Sequence, residues 1–176
     1  IILILFSQIL LASVSVVVFY KINKLFFSQK VSFYSSLLFS LFPIYLFACA
    51  QISSASLTIF LSVLFYYYFF KITDNNKFIY ILIFAFIGGL LILVRREFIA
   101  IIILSNLYLF FYFKVSFKKI FLTILITIIT TSPYLVRNYL IFDKIILHAS
   151  FGYNLWQGNN PKSKVEGSEI RENNLQ

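Results

Sequence analysis

The stretch Val31 to Phe70 reads VSFYSSLLFSLFPIYLFACA followed by QISSASLTIFLSVLFYYYFF, forty residues without a single charge. A helix that crosses a bilayer needs roughly 20 apolar residues. Forty are too many for one crossing and suit two. The punctuation agrees: Pro43 interrupts the first half, and Gln51-Ile52-Ser53-Ser54-Ala55-Ser56 is a polar cluster in the middle. The stretch predicts a helical hairpin with a tight turn near residues 51–56.

The same pattern continues outward. Residues 1–20 form an apolar run closed by Lys21, Lys24 and Lys30. Beyond Phe70, the residues Lys71, Asp74, Asn75, Asn76 and Lys77 make a polar connection. Runs 78–94 and 98–113 flank Arg95-Arg96-Glu97, and Lys114, Lys118 and Lys119 precede a last run, 120–136, that closes on Pro133, Tyr134 and Arg137. The expected fold is an all-α polytopic membrane protein with about six transmembrane helices, at about 1–20, 31–50, 57–70, 78–94, 98–113 and 120–136. Residues 1–136 form the transmembrane region, and 137–176 form an incomplete extracytoplasmic segment.

Composition supports a bilayer as the solvent. Hydrophobic residues are 61% of the chain, aromatic residues 20% and charged residues only 12%. A soluble domain carries roughly 25% charged residues, and one of this size lacks the interior volume to hide so much Phe, Ile, Leu and Tyr. The chain has no Met and starts inside an apolar run, which reads as an internal fragment of a longer protein.

The formal net charge is +9, from 15 Lys and Arg against 6 Asp and Glu. Its distribution fits membrane topology. Connections 21–30, 71–77 and 114–119 hold eight Lys and one Asp, whereas 51–56 and 95–97 hold two Arg and one Glu. The positive-inside rule makes the first set cytoplasmic, so the second set and the tail 137–176 lie outside. The basic residues are separated by apolar runs, so no nucleic-acid partner is expected. Cys49 stands alone in an apolar stretch and reads as a small buried hydrophobe.

Phosphate-binding GxxxxGK[ST] loops, GxGxxG, HExxH and CxxC are all absent, and His148 is the single histidine. No cofactor or metal site is expected from these residues, and any requirement for a divalent metal stays open. What remains is polar chemistry at membrane boundaries. Arg95, Arg96 and Glu97 sit between two apolar runs, where charge is costly and often functional. Arg95 reads either as an interfacial anchor or as a bidentate phosphate ligand; Arg137, at the end of the last run, has the same two readings. The segment Phe151-Gly152-Tyr153-Asn154-Leu155-Trp156-Gln157-Gly158-Asn159-Asn160-Pro161 combines aromatic faces with amides, as sugar sites often do, though an interfacial loop would share that composition.

Several stretches together resemble a known family. Leu41-Phe42-Pro43 leading to Gln51 is similar to an L-F-P hairpin. Gly88-Gly89-Leu90-Leu91-Ile92-Leu93-Val94-Arg95-Arg96-Glu97 is similar to G-L-x-x-L-x-R-P-E. Pro133-Tyr134-Leu135-Val136-Arg137-Asn138-Tyr139 resembles P-W-x-x-R-N-Y, and Gly152-Tyr153-Asn154-Leu155-Trp156-Gln157-Gly158-Asn159-Asn160 resembles G-x-N-L-x-x-G-N. In this order, over about residues 37–161, they resemble membrane glycosyltransferases of the GT-C superfamily: the bacterial protein-mannosyltransferase-like, aminoarabinose-transferase-like group, which is glycosyltransferase family 39-like. The chain departs from the pattern at Ala55, where the family often has Glu, at Arg96 for Pro, and at Tyr134 for Trp.

The resemblance implies transfer of a sugar from a polyprenyl-phosphate donor to a glycan, lipid or protein acceptor on the outer face of the bacterial cytoplasmic (inner) membrane. It implies lipid-phosphate binding by Arg95 and Arg137, with Glu97, Asn138 and Gln51 in support, and puts Tyr153, Asn154, Trp156 and Asn159 on the sugar or acceptor side. The catalytic acidic residues are expected upstream of this chain, so the fragment alone is expected to be inactive. The rival readings are an O-antigen polymerase- or ligase-like membrane enzyme and a non-enzymatic permease, the latter requiring inward-facing polar residues in mid-span, where the chain offers mainly Ser, Thr and Gln8.

Overall fold

A computed structural model describes residues 2–50, 52–143, 156 and 158–160. Among them the chain forms seven helices and no strand: α1 (Ile2–Asn23), α2 (Gln29–Leu41), α3 (Pro43–Ala50), α4 (Ala55–Asp74), α5 (Phe78–Val94), α6 (Phe98–Phe111) and α7 (Phe117–Phe142). The chain divides into two units, Ile1–Tyr134 and Leu135–Gln176, with the division inside α7.

The structure is all-helical and apolar, as expected for a membrane protein. Helices α1, α4 and α7 are long and apolar enough to cross a bilayer, and the bent pair α2–α3 can serve as a fourth span. The other two expected spans are shorter. At 17 and 14 residues, α5 and α6 reach about 25 and about 21 Å, against a hydrocarbon core of about 30 Å. Helix α6 stops at Phe111 rather than 113 because the chain turns at once, with Lys114 in the left-handed region at φ 51° and the Val115 amide bonding the Leu109 carbonyl at 3.1 Å.

Proline explains the broken span. Phe42 is extended, with φ −64° and ψ 123°, and α2 and α3 meet at a 51° bend. A residue before proline is pushed out of the helical region, while proline itself suits the first position of the next helix. The Tyr45 hydroxyl then pins α3 to α1 by donating to the Ala12 carbonyl at 2.6 Å. The chain breaks between Ala50 and Ala55, so α3 and α4 are separate helices joined where the polar cluster lies.

Helix α4 packs against both α1 and α5. Its centre is Phe65, fully buried and stacked on Phe84 at 4.4 Å; Leu61, Ile81 and Leu91 are buried as well. The ring pairs Phe65–Phe84 and Tyr68–Tyr80 advance in opposite directions along the chain, so α4 and α5 are antiparallel. Large apolar side chains elsewhere are open to the surroundings: Leu3 at 83%, Leu38 at 72% and Phe111 at 73%. In a membrane these faces meet lipid, which is as apolar as they are.

Two contacts gather the lysine-rich connections at one end of the first unit. Phe26, between α1 and α2, packs on Phe70 at 4.8 Å. Lys119, between α6 and the body of α7, donates to the carbonyl and the side-chain oxygen of Asn76, both at 2.9 Å. At the opposite end, Gln8 Nε2 donates to the Ser53 carbonyl at 2.7 Å. The antiparallel register brings the start of α4 level with the end of α5, so the 52–54 turn and the Arg95–Glu97 turn share that second end.

Candidate functional site

Two glycines precede the arginine turn. Gly88 and Gly89, buried in α5, let neighbouring helices approach. A Cβ at Gly89 would lie 2.5 Å from Thr130 Cβ, and one at Gly88 would lie 3.4 Å from Ile102 Cδ1. Five residues beyond, α5 ends. Arg95 takes extended backbone, and its amide still closes the last turn on the Leu91 carbonyl at 2.8 Å. Phe98 and Ile99 then bond back to the carbonyls of Arg95 and Arg96, at 3.2 and 3.0 Å, and start α6.

The two arginines differ. Arg95 is exposed, whereas Arg96 is half-buried and its Nε lies 4.0 Å from Glu97 Oε1. At that distance and exposure the ion pair orients more than it stabilises. Because the first amides of α6 are bonded to the turn itself, the positive character here comes from guanidinium groups rather than from open helix amides. An exposed guanidinium at a headgroup boundary can hold a phosphate through two parallel hydrogen bonds.

An apolar cleft of about 440 Å³ lies between α6 and α7. Ile92 and Ile99, on either side of the arginines, line it at one end, and Phe111 and Phe117 line it at the other. Between Ile99 and Phe111 it follows α6 for about 18 Å. A polar bridge closes the cleft floor: the Thr123 hydroxyl donates to Asn106 Oδ1 or to the Ile120 carbonyl, and Asn106 Nδ2 donates to the Ile102 carbonyl at 2.8 Å.

The other sequence candidates are distributed as follows. Arg137 is exposed on α7 in the second unit, and its Nη1 donates to Asn138 Oδ1 at 3.5 Å; Asn138 is buried. Helix α7 continues to Phe142, so Arg137 and Asn138 are helical residues. Trp156 and Asn159 are exposed in the same unit, and both make contacts. Gln51, Tyr153, Asn154 and His148 lie outside the described residues. Among the described residues, the structure thus brings Arg95, Arg96 and Glu97 together in one turn, and Arg137 with Asn138.

Sequence reading does not single out Asn106 or the threonine row. Thr123, Thr127 and Thr131 recur every four residues and are buried, a spacing that marks one helix face. Their hydroxyls are engaged: Thr127 donates to the carbonyl of Thr123 at 2.8 Å or of Ala85 at 3.2 Å, and Thr131 to that of Thr127 or Ile128, at 3.1 Å each. Gln8 reads from sequence only as a mid-span polar residue; its Oε1 is buried without a hydrogen-bond partner among the described residues. No group of three metal-ligating side chains occurs among the described residues.

A comparison with family profiles matches residues 2–136 to the family described as dolichyl-phosphate-mannose-protein mannosyltransferase. No curated protein and no solved structure matches the chain.

Proposed function

The chain belongs to the dolichyl-phosphate-mannose-protein mannosyltransferase family, and from that premise we propose that it is part of a polyprenyl-phosphate-dependent glycosyltransferase acting at the outer face of a bacterial cytoplasmic membrane. The family consists of membrane glycosyltransferases of the GT-C type that draw on a lipid-linked sugar. The observation that carries the finer reading is that the residues flanking the Arg95–Glu97 turn, Ile92 and Ile99, line the apolar α6–α7 cleft. A lipid phosphate has the same two parts, an anionic head and a hydrocarbon tail.

In this reading Arg95 holds the donor phosphate, while the first isoprenoid units lie along Ile99, Ile103 and Leu107 in the cleft. An acceptor hydroxyl attacks the anomeric carbon from the side opposite the phosphate. The new C–O bond forms as the sugar–phosphate C–O bond breaks, and the hydroxyl proton passes to a carboxylate base. Negative charge grows on the departing phosphate, where a guanidinium fixed by the turn stabilises it most. Glu97, tied to Arg96, shapes the turn, so the base is drawn from elsewhere in the protein. Arg137 is assigned to the phosphate on its motif position, with Asn138 supporting its side chain. The buried hydroxyls of Thr123, Thr127 and Thr131, of the kind a permease would turn inward, are bonded within and between helices.

Kinetics of the full-length product in its membrane test this. Arg95→Ala and Arg137→Ala should each lower kcat/KM by roughly 10²–10³. Arg→Lys should restore part of the loss, since an ammonium cannot reproduce the planar fork; Arg96→Ala should cost less than either. Leu107→Trp, which fills the cleft, should raise KM for the lipid donor while sparing a short-chain analogue. Well-folded Arg95→Ala and Arg137→Ala proteins with normal turnover would return both arginines to the role of interfacial anchors.

A further inference from the structure

Two clefts merge at the lysine-rich end, on the far side of the first unit from the arginine turn. One is a mouth of about 690 Å³, where Ser28, Gln29 and Lys30 face Tyr20, Phe33 and Tyr34. The other is a furrow of about 270 Å³ between α1 and α2, lined by Val16, Val17 and Leu37 and reaching Ser40. Tyr20 and Phe33 line both, so the polar mouth opens directly into the apolar furrow.

The mouth has unspent polar groups, and the furrow has none to offer. Lys30 is exposed and makes no ion pair or hydrogen bond with any described residue. Ser28 precedes α2 without capping it through its side chain. In the furrow, Ser36 and Ser40 donate to the carbonyls of Ser32 and Leu37 at 2.8 Å each, which leaves the surface facing a ligand hydrocarbon-like. The 21–30 connection carries three Lys and no acidic residue. From Phe33 to Ser40 the furrow follows α2 for about 10 Å, within the roughly 15 Å depth of one leaflet.

We propose that this pair of clefts is a binding site for an anionic phospholipid of the surrounding leaflet. The phosphate sits at Lys30, Gln29 and Ser28, and one acyl chain lies in the furrow past Tyr20 and Phe33. Charge selects the headgroup, because an unpaired ammonium beside two neutral donors favours a net-negative lipid over a zwitterionic one. The site is separate from the donor-phosphate end and stands whether or not that assignment holds.

Native mass spectrometry of the full-length protein, titrated with phosphatidylglycerol and phosphatidylcholine of identical acyl chains, tests the proposal. Wild type should retain phosphatidylglycerol preferentially. Lys30→Gln should lower that preference about fivefold, on the scale of one lysine at an anionic surface. Lys118→Gln, a lysine at the same end but outside both clefts, should leave it unchanged. Val17→Trp should remove the retained lipid, and Leu37→Trp, which blocks the furrow from the exposed side of α2, does the same job if the first variant fails to fold. Equal losses from Lys30→Gln and Lys118→Gln would overturn the proposal, reducing it to general surface charge. Displacement of the lipid by millimolar inorganic phosphate, or a lipid-free dimer abolished by the tryptophan variants, would overturn it as well.

Discussion

Gly88 and Gly89 are adjacent, yet they face different neighbours and should respond differently to one added methyl group. At Gly89 the new Cβ would meet Thr130 Cβ at 2.5 Å and Cγ2 at 2.8 Å. Thr130 cannot swing away cheaply, because its hydroxyl is bonded to the Ile126 carbonyl at 2.8 Å and a β-branched side chain is stiff at χ1. Gly89→Ala should therefore destabilise the protein by about 1–3 kcal/mol, the usual range for overpacking. At Gly88 the nearest atom is the tip of Ile102, at 3.4 Å, which can shift, and alanine brings a helix-propensity gain of up to about 1 kcal/mol. Gly88→Ala should be close to neutral. Thermal unfolding in a mild detergent measures both, and equal shifts in Tm would show that Gly89 is not the point of close approach. The Gly-Gly pair is visible in the sequence as part of a motif. Which of the two glycines needs to lack a Cβ is not, because that depends on where Thr130, far along the chain, arrives in space.

Helix α7 passes through Pro133 without a break, and a hydroxyl makes that possible. Proline removes the amide that would bond the carbonyl four residues earlier, which is that of Ile129. Ser132 Oγ donates to this carbonyl at 2.9 Å, so the group is not left bare in an apolar medium. The local tendency of proline to end a helix is overridden here, with the neighbouring serine supplying the missing donor. Ser132→Ala should cost about 0.5–1.5 kcal/mol, the net worth of one such bond. In a Pro133→Ala background, where the restored backbone amide takes over the Ile129 carbonyl, the same serine change should cost nearly nothing. A double-mutant cycle on chemical unfolding reads the difference, and identical costs in both backgrounds would refute the substitution of one donor by the other. At Pro43, by contrast, the Phe39 carbonyl is taken by the Phe42 amide at 3.4 Å rather than by a side chain, and there the span does bend.

The arrangement of connections has a consequence for topology across the whole molecule. Phe26 against Phe70, and Lys119 against Asn76, put the 21–30, 71–77 and 114–119 connections together. Gln8 against Ser53, with the antiparallel α4–α5 register, puts the 52–54 and 95–97 turns at the other end. The positive-inside rule predicts that the lysine end faces the cytoplasm. In a Cys49→Ala background of the full-length protein, single cysteines at positions 75 and 116 should react only after the membrane is permeabilised, whereas one at 97 should react with impermeant reagent in intact cells. Labelling of 75 from outside would invert the orientation and move the arginine turn away from an outer-face donor. The lengths of α5 and α6 fit the same picture, since Arg95 and the lysines beyond Phe111 can extend along their stems to reach the interface.

Hydropathy and charge, which are properties of the chain alone, determined most of the architecture. Forty uncharged residues around Pro43 and the 51–56 cluster are enough to specify a hairpin, because a bilayer tolerates only helices of limited length. Alternation of lysine-rich and lysine-poor connections is enough to sort them into two sets. The ordered motifs around Gly88, Arg95 and Arg137 were sufficient to suggest the family that residues 2–136 match. Tertiary structure decided what depends on approach between distant segments. It set the Asn106–Thr123 bridge, the cleft that Ile92 and Ile99 line on either side of the arginines, and the meeting of a polar mouth with an apolar furrow at Tyr20 and Phe33. None of these has a local signal. A threonine every four residues marks a face, but only the packing of α6 and α5 against it determines whether that face meets lipid, another helix or a ligand.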